Sequence, residues 1–544
     1  MSDNQLPRRE FLKMLAYAFP AAAFDWSLFP RPSRRPENPS QYDVIVIGAG
    51  LGGLSCAAAF ARQGFKALVI EQHDKPGGYA TAFLRPGGYT FDVSLHSTTV
   101  GERNGKFDLI PGFPEIASVE FLPHPTLFRS MFPEHEIRVA QRDPKAYVDT
   151  LIQLFPGEAA GIAGLFDDMG ALATEVGRLS SARGQVDMSR FPIDFPAIFK
   201  FHRMSWGEMV ATRITDPKLK AIVSGQWGYY GLPPSRLSCF YYAMPFMGYL
   251  THGGFYPKGR SQTISNAFAQ FIRERGGTVL VGTKVERILL ENGAAAGVST
   301  SDGQTFTSRA VVSNADPFAT FQAMLPSDSA FAEYISQWQQ YSVSLSSFQV
   351  FLGLKEDLVG KLGLTDSELF VETSYDPEAG YAHALAGDVE KGGYGVTLYD
   401  AIDPTYSPGG KNTINIMTLQ GFAPWERYEK DYLAGNKAEY KKAKERMADI
   451  LIQRAEEKLL PGLAKAIQVR EVGTPLTNLR YTGHHRGAVY GWDQTVNNSG
   501  STRIGHSTPV KNLYLAGAWS RPGHGYGAVI PSGLECFSEI VRSW

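Results

Sequence analysis

The glycines near residue 50 carry the clearest chemical signal in the sequence. Gly48, Gly50 and Gly53 have the spacing G-x-G-x-x-G, and the apolar run 44–47 comes directly before them. The first glycine permits a tight turn, and the second lets the backbone approach a pyrophosphate. The third lets the following helix pack closely. This order of strand, glycines and helix predicts a cradle for the phosphates of a dinucleotide.

A carboxylate follows where nucleotide recognition requires one. The apolar run 67–70 ends at Glu71, roughly 20 positions after the first glycine, where an acid accepts ribose hydroxyls. That carboxylate suits NAD and the adenosine half of FAD equally well, so the spacing establishes a nucleotide site and leaves its identity open. The predicted binding residues in this stretch are Gly48, Ala49, Gly50, Leu51, Gly52, Gly53, Glu71, Gln72, Gly77, Gly78 and Tyr79.

A strand and the helix after it must position these residues, and a similar arrangement of strand, glycine-rich turn and helix recurs near residue 520. Residues 54–63 are rich in alanine, which suits a helix that ends at Gly64. The run 512–516, which is apolar after Asn512, leads into Gly517 and Ala518, followed by a glycine-rich turn and a helix start. A strand that meets such a turn and a helix N-terminus makes a second anion cradle, suited to the other half of the dinucleotide.

Together these segments resemble the phytoene desaturase, carotenoid isomerase and retinol saturase group of FAD-dependent oxidoreductases. The continuation from Glu71 to Gly78 has the pattern E-x5-G-G that is similar to this group, and the resemblance covers nearly the whole chain after residue 42. It implies FAD as the cofactor. It also implies that Val285 contacts the adenine end of FAD through its backbone.

The same resemblance implies two candidate catalytic histidines. An aromatic–Asp pair, Phe91 and Asp92, is followed by His96, and retinol saturases place a histidine at this point. A hydrogen-bonded structural role for His96 is the alternative. His524 stands third in a turn that runs Pro-Gly-Gly-Gly in many members of the group, and this departure leaves the reaction open.

The expected fold class is α/β, and α+β overall. We expect a Rossmann-type FAD-binding domain that is interleaved with a mixed-sheet and helical substrate domain. The glycine-rich nucleotide signature is absent after residue 100, and the apolar strands at 278–281 and 310–313 then return to the first sheet. The predicted divisions are a signal and linker in residues 1–35, the FAD-binding domain in 36–100, 250–320 and 475–544, and the substrate domain in 101–249 and 321–474.

The first 24 residues have the character of a targeting signal. Arg8 and Arg9 begin the pattern R-R-x-F-L-K, and a short apolar run follows at 14–24. This pattern resembles a twin-arginine signal peptide and predicts export of the folded protein to the periplasm or another extracytoplasmic space. An amphipathic N-terminal helix is the alternative. NADPH is scarce outside the cytoplasm, so we expect a quinone or oxygen as the electron acceptor.

Two aromatic segments, 191–206 and 239–249, bear on the substrate. Such segments pack a core, or they form an apolar tunnel or a membrane-docking face for a long lipidic substrate. The leading hypothesis is a desaturase or saturase that acts on a polyene or isoprenoid by hydride exchange with flavin N5. The alternatives are a non-redox isomerase, an amine oxidase and a cofactor-binding protein without catalysis.

The composition narrows the remaining classes of function. The 544 residues carry a net charge of −1, which provides no basic field for a nucleic-acid partner. The cysteines Cys56, Cys239 and Cys536 are too few and too scattered for a disulfide framework or metal cluster. The histidines His484, His485 and His506 lack cysteine or carboxylate at ligand spacing, so we predict hydrogen bonding in loops or near the flavin and no metal site.

Overall fold

The computed structural model describes residues 26–32, 38, 40–99, 101–103, 106–108, 113, 116, 119–181, 186–326 and 331–544. The predicted twin-arginine pattern at Arg8 and Arg9 lies outside the described residues.

The described strands are β1 Gln41–Ile47, β2 Ala67–Ile70, β3 Ala82–Leu84, β4 Thr90–Asp92, β5 Gly101–Arg103, β6 Lys106–Asp108, β7 Phe121–Pro123, β8 Phe128–Met131, β9 Glu136–Val139, β10 Phe255–Pro257, β11 Thr278–Leu280, β12 Val285–Glu291, β13 Ala294–Thr300, β14 Thr305–Ser313, β15 Ser346–Leu354, β16 Glu368–Val371, β17 Tyr394–Leu398, β18 Asn412–Gln420, β19 Ile467–Gly473 and β20 Leu513–Leu515. The described α-helices are Leu51–Gln63, Pro144–Leu154, Ala159–Ser181, Phe191–Asp194, Pro196–Phe201, Trp206–Ala211, Pro217–Val223, Cys239–His252, Gln262–Glu274, Ala332–Ser336, Leu358–Lys361, Pro377–Ala386, Ala423–Leu433, Ala438–Lys458, Leu463–Ala466, Pro475–Thr482 and Tyr526–Arg542.

The first large sheet has the strand order β11-β2-β1-β14-β13-β12, and β20 pairs with β14. The strands β1, β2, β11, β14 and β20 run parallel to their neighbours in this set, whereas β12 and β13 form an antiparallel extension. All residues of β1 after the first are buried, as expected for a parallel strand covered on both faces. The α/β prediction with a Rossmann-type sheet is confirmed.

The second large sheet has the order β19-β15-β18-β17-β16-β8-β9. Its pairs are antiparallel except β16 with β8. Every residue of β15 is buried, and the helix Ala438–Lys458 packs Leu451 and Ala455 into the same core as this sheet. Since β8 and β9 precede the return to the first sheet and β15–β19 follow it, the chain crosses between the two sheets several times.

A helical layer completes the region that holds the two aromatic segments. Phe191, Ile198 and Trp206 are buried in one apolar core with the helix Ala159–Ser181. Ile193 and Phe199 remain 71% and 48% exposed. None of the described helices combines the length and hydropathy that a membrane crossing needs.

The segment just before β1 packs against the first sheet's helices. Trp26–Leu28 forms a short 3-10 helix, the carbonyl of Trp26 accepts a hydrogen bond from Gln63 at 2.9 Å, and the ring of Phe29 lies 5.2 Å from that of Phe537. This part of the predicted linker belongs to the packed structure.

Candidate active site

The N-terminus of the helix Leu51–Gln63 forms the first cradle. Gly50 precedes it in extended conformation, and no side chain caps the helix, so its first N–H groups remain available to an anion. A Cβ on Gly53 would lie 2.3 Å from the carbonyl oxygen of Gly48. Only glycine therefore allows the helix to pass so close to the turn.

The glycine-rich turn after β20 forms the second cradle and meets the first. A Cβ on Gly52 would lie 2.7 Å from the Cα of Gly517, and a Cβ on Gly517 would lie 2.4 Å from Oδ1 of Asn314. Asn314 thus stands between the two turns. Sequence reasoning missed it, although it directly follows β14, at the carboxyl end of a parallel strand where ligands bind in such sheets.

Glu71 closes the nucleotide end of the site. Its Oε2 accepts a hydrogen bond from the backbone N–H of Ala49 at 2.7 Å, and its Oε1 accepts one from the N–H of His73 at 2.8 Å. Burial raises the pKa of Glu71, and these N–H groups oppose the shift. Each oxygen keeps a lone pair for a further donor, which fits the ribose hydroxyls of a nucleotide.

A cavity of about 860 Å3 runs from Glu71 to the interior of the molecule. It is lined by most of the predicted site residues, namely Gly48, Gly50, Leu51, Gly52, Glu71, Gln72, Gly77, Gly78, Tyr79, Val285, Gly517, Ala518, His96 and His524. The other two predicted residues, Ala49 and Gly53, support the wall through the contacts given above. The N-terminus of the helix Tyr526–Arg542, which no side chain caps, lines the same cavity. Two helix N-termini and side-chain-free glycines fit a pyrophosphate between them.

The inner part of the cavity is an aromatic chamber. It is lined by Tyr229, Tyr230, Tyr241, Met244, Tyr249 and Tyr490. Three of these residues lie on the helix Cys239–His252, so this aromatic segment forms a cavity wall. The segment 191–206 contributes no residue to the described lining, and its aromatic side chains pack the core, except Phe199, which is exposed.

His96 sits at the edge of the aromatic chamber and has two partners that sequence reasoning missed. Its Nδ1–H donates to Oε2 of Glu368 at 2.6 Å, the hydroxyl oxygen of Tyr229 lies 3.2 Å from the same nitrogen, and the two rings stack. Burial disfavours the imidazolium, but the Glu368 carboxylate outweighs burial and raises the pKa of His96. His96 is therefore a paired, chargeable group that faces the cavity. No local signal links residue 96 to residue 368.

His524 is placed differently. Its ring stacks on Tyr490 at 4.2 Å between centroids, and its backbone N–H donates to the hydroxyl of Tyr241 at 2.9 Å. Neither ring nitrogen has a protein partner among the described residues. Burial, assisted by Arg503, lowers the pKa of His524 to about 3. The ring is a neutral hydrogen-bonding group on the cavity wall.

The rings of His484 and His506 lie in hydrogen-bonded positions, whereas the ring of His485 stacks on Phe318. The Nδ1 of His484 pairs with the carbonyl of Ala488 at 3.0 Å, and that of His506 pairs with the carbonyl of Leu515 at 2.8 Å. Within the described ranges, no group of three or more His, Cys, Asp or Glu side chains is placed to hold a metal ion.

Comparison with known proteins identifies the class to which this site belongs. Residues 51–536 match the family described as flavin containing amine oxidoreductase. The chain is 26% identical over 521 residues to prolycopene isomerase 1, chloroplastic, of an Oncidium hybrid cultivar, across 93% of this chain and 84% of that protein. It is 28% identical over 546 residues to all-trans-retinol 13,14-reductase of Danio rerio, across 94% and 87% of the two chains. The fold matches an oxidoreductase from Methanosarcina mazei with a TM-score of 0.61 and 18% identity, across 91% and 100%. These matches confirm the predictions of an oxidoreductase with an FAD cofactor.

Proposed function

The chain belongs to the flavin-containing amine oxidoreductase family, and on that premise we propose that it exchanges hydrogen with a carbon–carbon bond of a long apolar polyene or isoprenoid. One observation carries this proposal: a single cavity joins the glycine cradles to the aromatic chamber. FAD held in the cradles supplies hydride exchange at N5 of its ring. The protein holds the substrate against the flavin, keeps water away and holds a proton at His96.

The lining of the cavity supports an apolar substrate over an amine. An amine needs an acidic or polar recognition group near the reacting carbon. The carboxylates in the described lining are Glu71, Glu286 and Asp316, and all three belong to segments of the first sheet. The aromatic chamber itself presents tyrosine and methionine side chains, which suit a hydrocarbon chain.

The two relatives support the same class of substrate and keep one alternative open. One is named for the isomerisation of prolycopene and the other for the reduction of retinol. The second candidate function is therefore a cis–trans isomerisation of a polyene without net redox change. The two reactions differ in product mass, since desaturation or saturation changes it by two hydrogens and isomerisation leaves it unchanged.

Anaerobic incubation of the purified FAD-bound protein with polyene lipids tests the proposal. We expect the flavin absorbance to change on mixing and mass spectrometry to find a product that differs by two hydrogens. A product of unchanged mass favours the isomerase. A flavin that keeps its redox state with every polyene and quinone, together with the absence of any isomerised product, contradicts both reactions and favours a protein that binds the cofactor without catalysis.

We propose in addition that the protein is exported with FAD bound and passes electrons to a quinone or oxygen, with contact to a membrane surface. The pair Arg8 and Arg9 in its twin-arginine pattern supports the export, and the scarcity of NADPH outside the cytoplasm supports a quinone or oxygen as the acceptor. Changing both arginines to lysine is expected to retain the flavoprotein in the cytoplasm, as measured by cell fractionation. Unchanged export of that double variant contradicts the route. The electron acceptor is identified by reoxidation of the reduced protein with quinones and with oxygen.

A further inference from the structure

A small chamber, named the polar chamber for the buried Gln226, Glu368 and Asn415 in its lining, adjoins the main cavity at His96. Its volume is about 100 Å3, and it shares His96, Tyr229, Met417 and Tyr490 with the main cavity. His96 and its neighbours therefore form the wall between the two spaces. Most of the chamber lining is apolar or aromatic, and the polar side chains in it include Gln226, Glu368, Glu372 and Asn415.

Several buried polar atoms of the chamber lining have no protein partner within the described residues. They are Nε2 and Oε1 of Gln226, Oε1 of Glu368 and Oδ1 of Asn415. All three residues line the chamber and are at most 5% exposed. A buried polar group without a partner costs about 1–3 kcal/mol, and native proteins satisfy such groups with ordered water. One water needs roughly 10–15 Å3 of such space, so the chamber has room for several.

His96 and Glu368 connect the two spaces. Oε2 of Glu368 holds Nδ1 of His96 at 2.6 Å, and its other oxygen is the unpartnered atom of the polar chamber. The Nε2 of His96 has no protein partner within the described part of the chain. Because a carboxylate that accepts from one imidazole nitrogen fixes the tautomer and orientation of the ring, Glu368 holds His96 with a proton at Nδ1.

We propose that the polar chamber holds a water cluster through which the His96–Glu368 pair exchanges protons with solvent, with Glu368 as the positioning residue. This inference rests on the proposed function, because adding two hydrogens to a C=C bond requires a proton as well as the hydride that bound FAD in its reduced form would supply. The protonated His96 gives the proton of one N–H bond to the substrate carbon and becomes neutral. A proton from the water cluster restores the imidazolium, and desaturation runs the same transfer in reverse.

The charged and titratable groups around His96 belong to several elements. Glu368 on β16 is in direct contact, and Tyr229, on the 3-10 helix Gly225–Tyr229, lies next to the histidine. Asp92 on β4 adds attraction to the imidazolium. His124 is kept neutral because burial lowers its pKa to about 4. Glu372 lines the same chamber, and burial raises its pKa to about 8, which keeps it neutral near pH 7. The attraction on the imidazolium therefore comes from Glu368 in direct contact and from Asp92.

Two variants test the role of the Glu368 carboxylate and the role of the water cluster separately. Glu368→Gln keeps the size of the side chain and removes its charge. Gln226→Leu removes two of the unpartnered atoms at similar volume and leaves Glu368 unchanged. Glu136→Gln is the matched control, because Glu136 lies exposed on β9 of the same sheet and outside both cavities. All proteins are used with FAD bound, and FAD content and circular dichroism verify folding.

The measurement is nuclear magnetic resonance of the 15N-histidine-labelled protein, with the His96 signals assigned through His96→Gln. We expect Glu368→Gln to lower the pKa of His96 by at least one unit. We expect Gln226→Leu to leave that pKa in place and to slow exchange of the Nδ1 proton with water at least threefold. Glu136→Gln should change neither quantity.

The proposal is overturned if His96 titrates at the same pH in Glu368→Gln, or if Gln226→Leu exchanges the proton as fast as the wild type. Both readouts are independent of turnover. Failure of the proposed function appears separately, as the absence of any reaction with polyenes in a protein whose His96 signals behave as expected.

Discussion

Gly52 and Gly517 lie in contact although they come from opposite ends of the chain: a Cβ on Gly52 would be 2.7 Å from the Cα of Gly517 and 2.7 Å from Oδ1 of Asn314. Backbone atoms cannot move aside as a flexible side chain does. We therefore expect Gly52→Ala to separate the two cradles, to lower bound FAD at least tenfold and to destabilise the fold by about 1–3 kcal/mol. The ratio of flavin to protein absorbance and thermal unfolding measure the two effects.

Gly170→Ala is the matched control for this substitution. Gly170 lies inside the helix Ala159–Ser181, and a Cβ there would have no atom within 4 Å. Alanine is favoured over glycine in a helix interior by up to about 1 kcal/mol, so this variant should retain FAD and unfold at the same or a slightly higher temperature. Full FAD retention by Gly52→Ala would show that the contact between the cradles is dispensable.

Glu71 supports a second prediction about cofactor affinity. Its two oxygens accept from the N–H groups of Ala49 and His73, and a glutamine amide would set an NH2 group against one of these donors. Glu71→Gln should weaken FAD binding roughly 10- to 100-fold, which corresponds to about 1.4–2.8 kcal/mol. Titration of the apoprotein with FAD measures the dissociation constant. Glu274→Gln, at the exposed end of the helix Gln262–Glu274, is the control and should bind FAD like the wild type.

The nucleotide half of the site was predictable because its signals are local. A strand, a glycine turn and a helix follow one another within 23 residues from Gln41 to Gln63, and Gly53 is required by its contact with the nearby carbonyl oxygen of Gly48. The pairing of His96 with Glu368 was not predictable, because it depends on the position of β16 in the second sheet. The role of the segment 191–206 was likewise open, since aromatic composition is the same for a core and a tunnel wall.

Glu372 supports a prediction about stability and pH. It lines the polar chamber, and burial raises its pKa to about 8. A carboxyl group whose folded pKa lies above its unfolded value of 4.5 contributes stability below pH 4.5 and loses that contribution as pH rises towards 8. The side chain of Glu372→Gln cannot ionise. The melting temperature of this variant should therefore rise relative to that of the wild type as the pH goes from 5 to 9.

Glu390→Gln is the control for this prediction, because Glu390 is exposed on the loop before β17. Its melting temperature should follow the wild type at every pH. A constant difference between Glu372→Gln and the wild type from pH 5 to pH 9 would mean that Glu372 is ionised in the folded protein.

His96 and His524 should differ in their effect on the pH dependence of turnover. The pKa of His96 is raised by Glu368 against burial, so its imidazolium persists above the ordinary value of 6.5 and is lost as pH rises through the raised pKa. Burial lowers the pKa of His524 to about 3, so that ring stays neutral from pH 5 to pH 9. A plot of kcat/KM against pH for the wild type should therefore contain one limb that belongs to His96.

His96→Gln should remove that limb and retain FAD, since its side chain makes no contact with the glycine cradles. His524→Asn should lower the rate by a similar factor at every pH, because it changes a neutral group on the cavity wall and leaves the His96–Glu368 pair intact. A limb that shifts in His524→Asn would assign the titration to His524. Loss of FAD from either variant would make that histidine part of the cofactor site, so flavin content is measured on each sample before the kinetics.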